Sequence, residues 1–148
     1  MASVARYTVI RFENMPIILV SVRGRLRPAD HFEIALKVSQ LLEYSTGKVC
    51  LIIDLTAARI ELMDTVDILT QMTKGWSGTP TDPRVITMLA LSSGNASLVP
   101  LHLWRGWEGW RRVFIFPNLA QALASARGPI VYENVESMTP ARLRDSIV

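Results

Sequence analysis

Lys48-Val-Cys-Leu-Ile-Ile-Asp54-Leu-Thr-Ala-Ala-Arg-Ile-Glu-Leu-Met-Asp64-Thr-Val-Asp-Ile-Leu69 decides the fold. Val49 to Ile53 is an unbroken aliphatic run without polar alternation, which is how a strand covered on both faces reads. Such a strand belongs mid-sheet, and Asp54 marks its expected exit. After a loop, Asp64 is expected to cap a helix in which Thr65, Ile68, Leu69, Met72 and Trp76 recur on one face. Strand, loop and helix in this order make half of a parallel crossover, so the chain reads as α/β.

Working outward, Tyr7 to Phe12 and Ile17 to Val22 flank Asn14-Met15-Pro16 and read as an antiparallel hairpin. Gly24 and Pro28 break that pattern. Asp30, with Glu33 three residues later, is expected to cap a helix reaching about Tyr44. Its buried stripe is read as Phe32, Leu36 and Leu42, with Ala35 and Ser39 between them. Downstream, Arg84 to Leu91 and Val113 to Phe116 read as strands, with a short helix possible from Ser97 to Trp104. Asn118 caps a last helix that carries Leu119, Ala122, Leu123 and Ala126 inward, and Gly128-Pro129 ends it. The expected architecture is a mixed sheet with an N-terminal antiparallel hairpin and helices covering the sheet. One domain spans residues 1–148, with a core of about 6–127 and a tail of 128–148.

A chain of 148 residues, about half of them apolar, can bury a core without metals or disulfides. Its net charge of +3 is too small and too scattered along the sequence to read as a nucleic-acid footprint, so no nucleic-acid partner is expected. No apolar run approaches the roughly 20 residues that span a bilayer. Met1 to Tyr7 lacks the pattern of a secretory signal, which makes a cytoplasmic location the expectation. The single cysteine, Cys50, lies inside the central run and reads as a buried thiol. So apolar a domain is expected to cover part of its surface with a second copy, most simply as a homodimer.

Asp54-Leu55-Thr56, Asp64-Thr65-Val66-Asp67-Ile68-Leu69, and the late Val113-Phe-Ile-Phe-Pro-Asn-Leu-Ala-Gln-Ala-Leu123 together resemble the STAS family, the anti-sigma-factor antagonist or SpoIIAA-like fold. The resemblance covers residues 6 to 127. It implies a regulatory, protein-binding role, with Asp54, Asp64 and Thr65 equivalent to the family's switch loop. The phosphorylatable hydroxyl of the family falls at Val66, or at Thr65 if the register slips by one. Valine cannot accept a phosphoryl group, and Thr65 faces the core on the helix pattern. The scaffold and its binding tendency are therefore expected without the switch.

Catalytic chemistry finds little in the sequence. There is no nucleophile elbow and no dinucleotide or Walker fingerprint, and His31 and His102 lack metal-ligand spacing. Asp54, Glu61, Asp64 and Asp67 could suggest a cation site, but helix-capping and first-turn roles explain most of them. The expectation is no enzyme, no metal and no cofactor. Residues 101–112 stand apart: Trp104, Trp107 and Trp110 recur every third residue, with Arg105 and His102 beside them. Aromatics with arginine are the residues of interface hot spots, so this segment is a candidate interface or a pocket for a small apolar ligand. Gly106 and Gly109 count against a long helix there, and membrane docking is not expected.

Overall fold

The computed structural model of the protein describes residues 6–74, 77–91 and 113–127. Strands β1 (Arg6–Arg11) and β2 (Ile17–Arg25) form the antiparallel hairpin, with Tyr7 opposite Val22 and Val9 opposite Val20. Helix α1 (Pro28–Glu43) leads to β3 (Val49–Arg59), and α2 (Leu62–Thr73) leads to β4 (Val85–Ala90). Strand β5 (Val113–Phe116) and helix α3 (Leu119–Arg127) complete the described chain. The sheet runs β1-β2-β3-β4-β5, parallel throughout except at the hairpin. The mixed sheet and helical layers expected from the sequence are therefore present.

Alternation along the central strands splits the core in two. Val20, Val22, Leu51 and Leu89 pack on one side against Ile34, Val38 and Leu42 of α1 and Ile68 and Met72 of α2. Ile17, Cys50, Ile52, Ile86, Met88 and Phe114 pack on the other against Ala122 and Ala126 of α3. All six residues of β4 are buried. Each large aliphatic side chain so buried contributes about 1.5–3 kcal/mol of transfer free energy. Asn118 caps α3 as read from the sequence: its Oδ1 accepts the Gln121 N–H at 2.9 Å.

Three details differ from the sequence reading. Strand β3 does not end at Asp54; it continues to Arg59, because β2 extends to Arg25 and pairs with it past an irregularity between Ser21 and Arg23. Helix α1 begins at Pro28, a residue suited to a first turn since its missing N–H has no intrahelical acceptor. Asp30 therefore acts from inside the helix, its carboxylate accepting the Arg27 N–H at 3.0 Å and Arg27 Nε at 3.2 Å. The buried stripe of α1 is His31, Ile34, Ala35, Val38 and Leu42, while Phe32 and Leu36 lie on the outer face, 42% and 49% exposed.

His31 ties the two helices together. Gln71 Nε2 donates to the Pro28 carbonyl at 3.1 Å, which turns Gln71 Oε1 toward His31 Nδ1 at 2.6 Å. The neutral ring must therefore carry its proton on Nδ1. Burial pushes the imidazole below its ordinary value of 6.5, and the Gln71 bond offsets only part of that. A base with a depressed folded-state pKa contributes stability that is complete above about pH 6.5 and declines as the pH falls below it. Urea midpoints measured between pH 7.5 and 5 are expected to fall for the wild type and for His102→Gln, and to fall less for His31→Asn.

The loop between α2 and β4 carries a second buried polar centre. Asp82, 3% exposed, accepts the N–H groups of Gly78 at 2.8 Å and Arg84 at 2.9 Å. The Arg84 side chain adds bonds from Nε at 3.1 Å and Nη2 at 2.8 Å. Thr87 Oγ1 donates to the Pro80 carbonyl at 3.0 Å, and Thr81 Oγ1 to that of Met72 at 3.2 Å. Side-chain hydrogen bonds thus tie this loop, rich in Gly, Pro and Thr, to the end of α2, to β4 and to itself.

Candidate functional site

The start of α2 joins the ends of β2 and β3. Glu61 occupies the N-cap position with no side-chain cap bond, so Asp64 is a first-turn residue and not the cap expected from the sequence. Arg25, at the end of β2, explains where Asp64 is directed: Nε meets Asp64 Oδ2 at 2.9 Å, and Nη2 meets Glu61 Oε2 at 3.5 Å. Arg59 closes the group, its Nη2 lying 4.0 Å from Glu61 Oε1. The bond to Asp64 holds the Arg25 guanidinium above its ordinary value, against a smaller effect of burial. Position matters here as well as pairing, because carboxylates in a first helical turn complement the helix dipole.

Thr65 is fully buried, and its hydroxyl donates to the Glu61 carbonyl at 3.0 Å. That places it where the helix pattern put it, turned away from solvent. Val66 is 47% exposed beside it. Leu62 and Met63 are 55% and 75% exposed, so the first turn and a half of α2 presents three apolar side chains outward. Isolated exposed apolar residues are ordinary, but three on about one helical turn, with the charged Glu61 and Asp67 flanking them in sequence, have the composition of an interface core with polar neighbours.

Asp54 lies apart from this group in its bonding. Its Oδ1 accepts the Thr56 N–H at 3.0 Å and the Thr56 hydroxyl at 2.6 Å, so the carboxylate is occupied by its own strand. Along the chain, five further strand residues, Ile60 and Glu61 separate it from α2. Asp54, Asp64 and Thr65 thus bond to different partners: Thr56, Arg25 and the Glu61 carbonyl respectively. Among the described residues no group of three His, Cys, Asp or Glu side chains is placed to hold a metal ion. His102, Trp104, Arg105, Trp107 and Trp110 lie outside the described residues.

Sequence reasoning missed Arg25, Leu62 and Met63. The available signal was Leu62-Met63, two large apolar residues directly before Asp64 and off the buried stripe of α2. Among the described residues, no helix is long and apolar enough to cross a membrane. The described residues also line a partly open apolar cavity of about 40 Å³ between the sheet and the α1–α2 pair, with Val22, Leu26, Ile34, Leu55, Ile60 and Met72 among its walls.

No family model matches this sequence, and no curated protein does. Solved structures do. An anti-sigma factor antagonist from Mycobacterium paratuberculosis superposes with a TM-score of 0.53 at 19% identity, covering 84% of this chain and 96% of that one. An uncharacterised DUF3478 protein with a SpoIIAA-like fold from Shewanella loihica PV-4 superposes with a TM-score of 0.55 at 14% identity, covering 85% of this chain and 98% of that one. These likenesses show that the chain has the STAS, or SpoIIAA-like, fold.

Proposed function

We propose that this chain is a non-catalytic regulatory domain that works by binding a protein partner, in the manner of an anti-sigma factor antagonist but without a phosphorylatable switch. The observation that carries the reading is the start of α2. Leu62, Met63 and Val66 are exposed together, and the neighbouring hydroxyl, Thr65, is sealed into the core. A kinase cannot reach a fully buried hydroxyl that is already bonded to a backbone carbonyl, and Val66 offers it no oxygen. Control of binding would then rest on partner concentration and affinity. The Trp104, Trp107 and Trp110 segment, with Arg105 and His102, remains a proposed second contact, and a homodimer the proposed assembly.

The small-ligand alternative puts its pocket beside Trp104, Trp107 and His102, outside the described residues. The apolar cavity between the sheet and the α1–α2 pair, about 40 Å³, is well short of the ~150 Å³ that accepts benzene and does not itself favour that reading.

A photo-crosslinking amino acid placed at Met63, and separately at the exposed Ala120 of α3, tests the reading in extracts of the native cell. One protein is expected to crosslink from position 63 and not from 120, and to be lost when Leu62→Asp is added. Equal crosslinking from both positions, or turnover of a substrate abolished by Asp54→Ala, would refute the proposal.

A further inference from the structure

Arg6 of β1 and Arg23 of β2 stand directly opposite each other across the antiparallel pair, on the same face of the sheet. Both are exposed, and neither side chain has a hydrogen-bond or ion-pair partner among the described residues. Like charges directly opposite in a ladder are destabilising. One strand over, Arg25 and Arg59 are opposed in the same manner, but there Glu61 and Asp64 compensate. Among the described residues, one arginine pair is thus neutralised and the other has no counter-charge.

The surroundings of the open pair are specific. Thr8 and Ile10 continue its face along β1, and Ile10 is 51% exposed. Helix α1 covers the opposite face through Tyr7 and Val9, and α3 packs over β3, β4 and β5. Among the described residues β1 has no neighbour on its outer edge. Charged side chains often guard such an edge against unwanted pairing. A guard needs only the edge residue, however, and Arg23 sits on the inner strand, where it adds repulsion without adding protection.

We propose that the β1 edge is a second binding surface, which takes an extended acidic segment of a partner protein as an added strand. Backbone groups of the incoming segment pair with the free edge, and its alternate side chains fall on the arginine face. A carboxylate there meets two guanidinium groups, and an apolar residue four positions further meets Ile10. Nucleic acid fits less well, since two open arginines fall short of the 6–10 phosphate contacts of a typical footprint.

An N-acetylated hexapeptide Glu-Thr-Glu-Thr-Val-Thr carrying fluorescein, with its first Glu and its Val four positions apart on one face, is the probe, titrated into the full chain and followed by anisotropy. Wild-type binding is expected to weaken as salt rises, and Arg6→Glu is expected to reduce affinity by about tenfold or more. The same substitution turns a like-charge pair into an opposite-charge pair, so it should raise the melting temperature by about 1–2 °C. Loss of binding with gain of stability cannot come from unfolding. A peptide with alternate backbone amides methylated should not bind. Equal binding of the methylated peptide, no effect of Arg6→Glu on affinity, or preferential Arg6-dependent binding of polyphosphate or anionic vesicles would overturn the proposal. Because Met63→Asp leaves this edge intact, it should bind the probe as the wild type does, and failure here leaves the α2 reading standing.

Discussion

Gly78→Ala is expected to destabilise the protein by about 3–5 kcal/mol, a large part of the ~5–15 kcal/mol that holds a domain of this size folded. Two independent costs combine. Gly78 has φ of +80°, a conformation that an L-residue adopts at a cost of about 1–2 kcal/mol. A Cβ there would also lie 2.0 Å from the Ala35 carbonyl oxygen and 2.8 Å from the Ser39 nitrogen, so it meets the backbone of α1 and no side chain that could turn aside. Either the loop lifts off α1 or α1 shifts against the sheet. Gly47 supplies the control, because its φ is +74° and nothing lies within 4 Å of the added atom. Gly47→Ala should cost only the conformational part, about 1 kcal/mol. Urea unfolding of both variants checks the difference, and equal losses would show that the close approach to α1 contributes nothing.

Asp82→Ala is the second large effect, expected at about 2–5 kcal/mol. The substitution strands the Gly78 and Arg84 N–H groups, which Asp82 alone is shown to satisfy, and a buried unpaired donor costs about 1–3 kcal/mol. Burial by itself pushes the Asp82 carboxyl up, but the bonds from Arg84 and Gly78 and the charge of Arg84 outweigh it and hold the group below its ordinary value. A carboxylate held low contributes stability above its unfolded pKa, near 4, and loses it as the pH falls through the folded value. The Asp82→Ala penalty should therefore be full at neutral pH and shrink in acid, where the wild type has lost the same contribution. Asp82→Asn keeps one acceptor oxygen and should fall between the two. Urea midpoints at pH 7 and pH 3 measure the contrast.

The sheet was legible because its determinants are local. Val49 to Ile53 has no polar residue to turn toward water, so it could only be central, and the structure buries it on both sides. The Asn118 cap and the inward hydroxyl of Thr65 followed from residue type and helical spacing in the same way. The misread parts depend on partners far along the chain. Thr56-Ala-Ala-Arg59 has little intrinsic preference for a strand, and it extends because β2 offers Arg23 to Arg25 as a ladder. In α1 two apolar stripes compete: Leu42 is buried as read, but Phe32 and Leu36 lost to Ile34 and Val38. That choice is set by where β2 and β3 lie under the helix, not by size. At the candidate site, Asp64 read as a cap because Arg25, 39 residues earlier, could not be seen as its partner. Gly78 and Asp82 looked like ordinary loop residues for the same reason, since what they touch is the backbone of α1 and their own loop.

On the proposed function, α2 binds a partner through exposed apolar residues and no hydroxyl there acts as a switch. The dissociation constant of the crosslinked partner for wild type, Met63→Asp and Thr65→Val measures this directly. A charge placed in the apolar centre of an interface is expected to weaken binding about 30-fold or more. Thr65→Val, which removes the hydroxyl and keeps the shape, should leave affinity within about twofold, and treatment of the cell extract with phosphatase should change nothing. Equal affinity of Met63→Asp and wild type, or a phosphatase effect that Thr65→Val abolishes, would contradict the account.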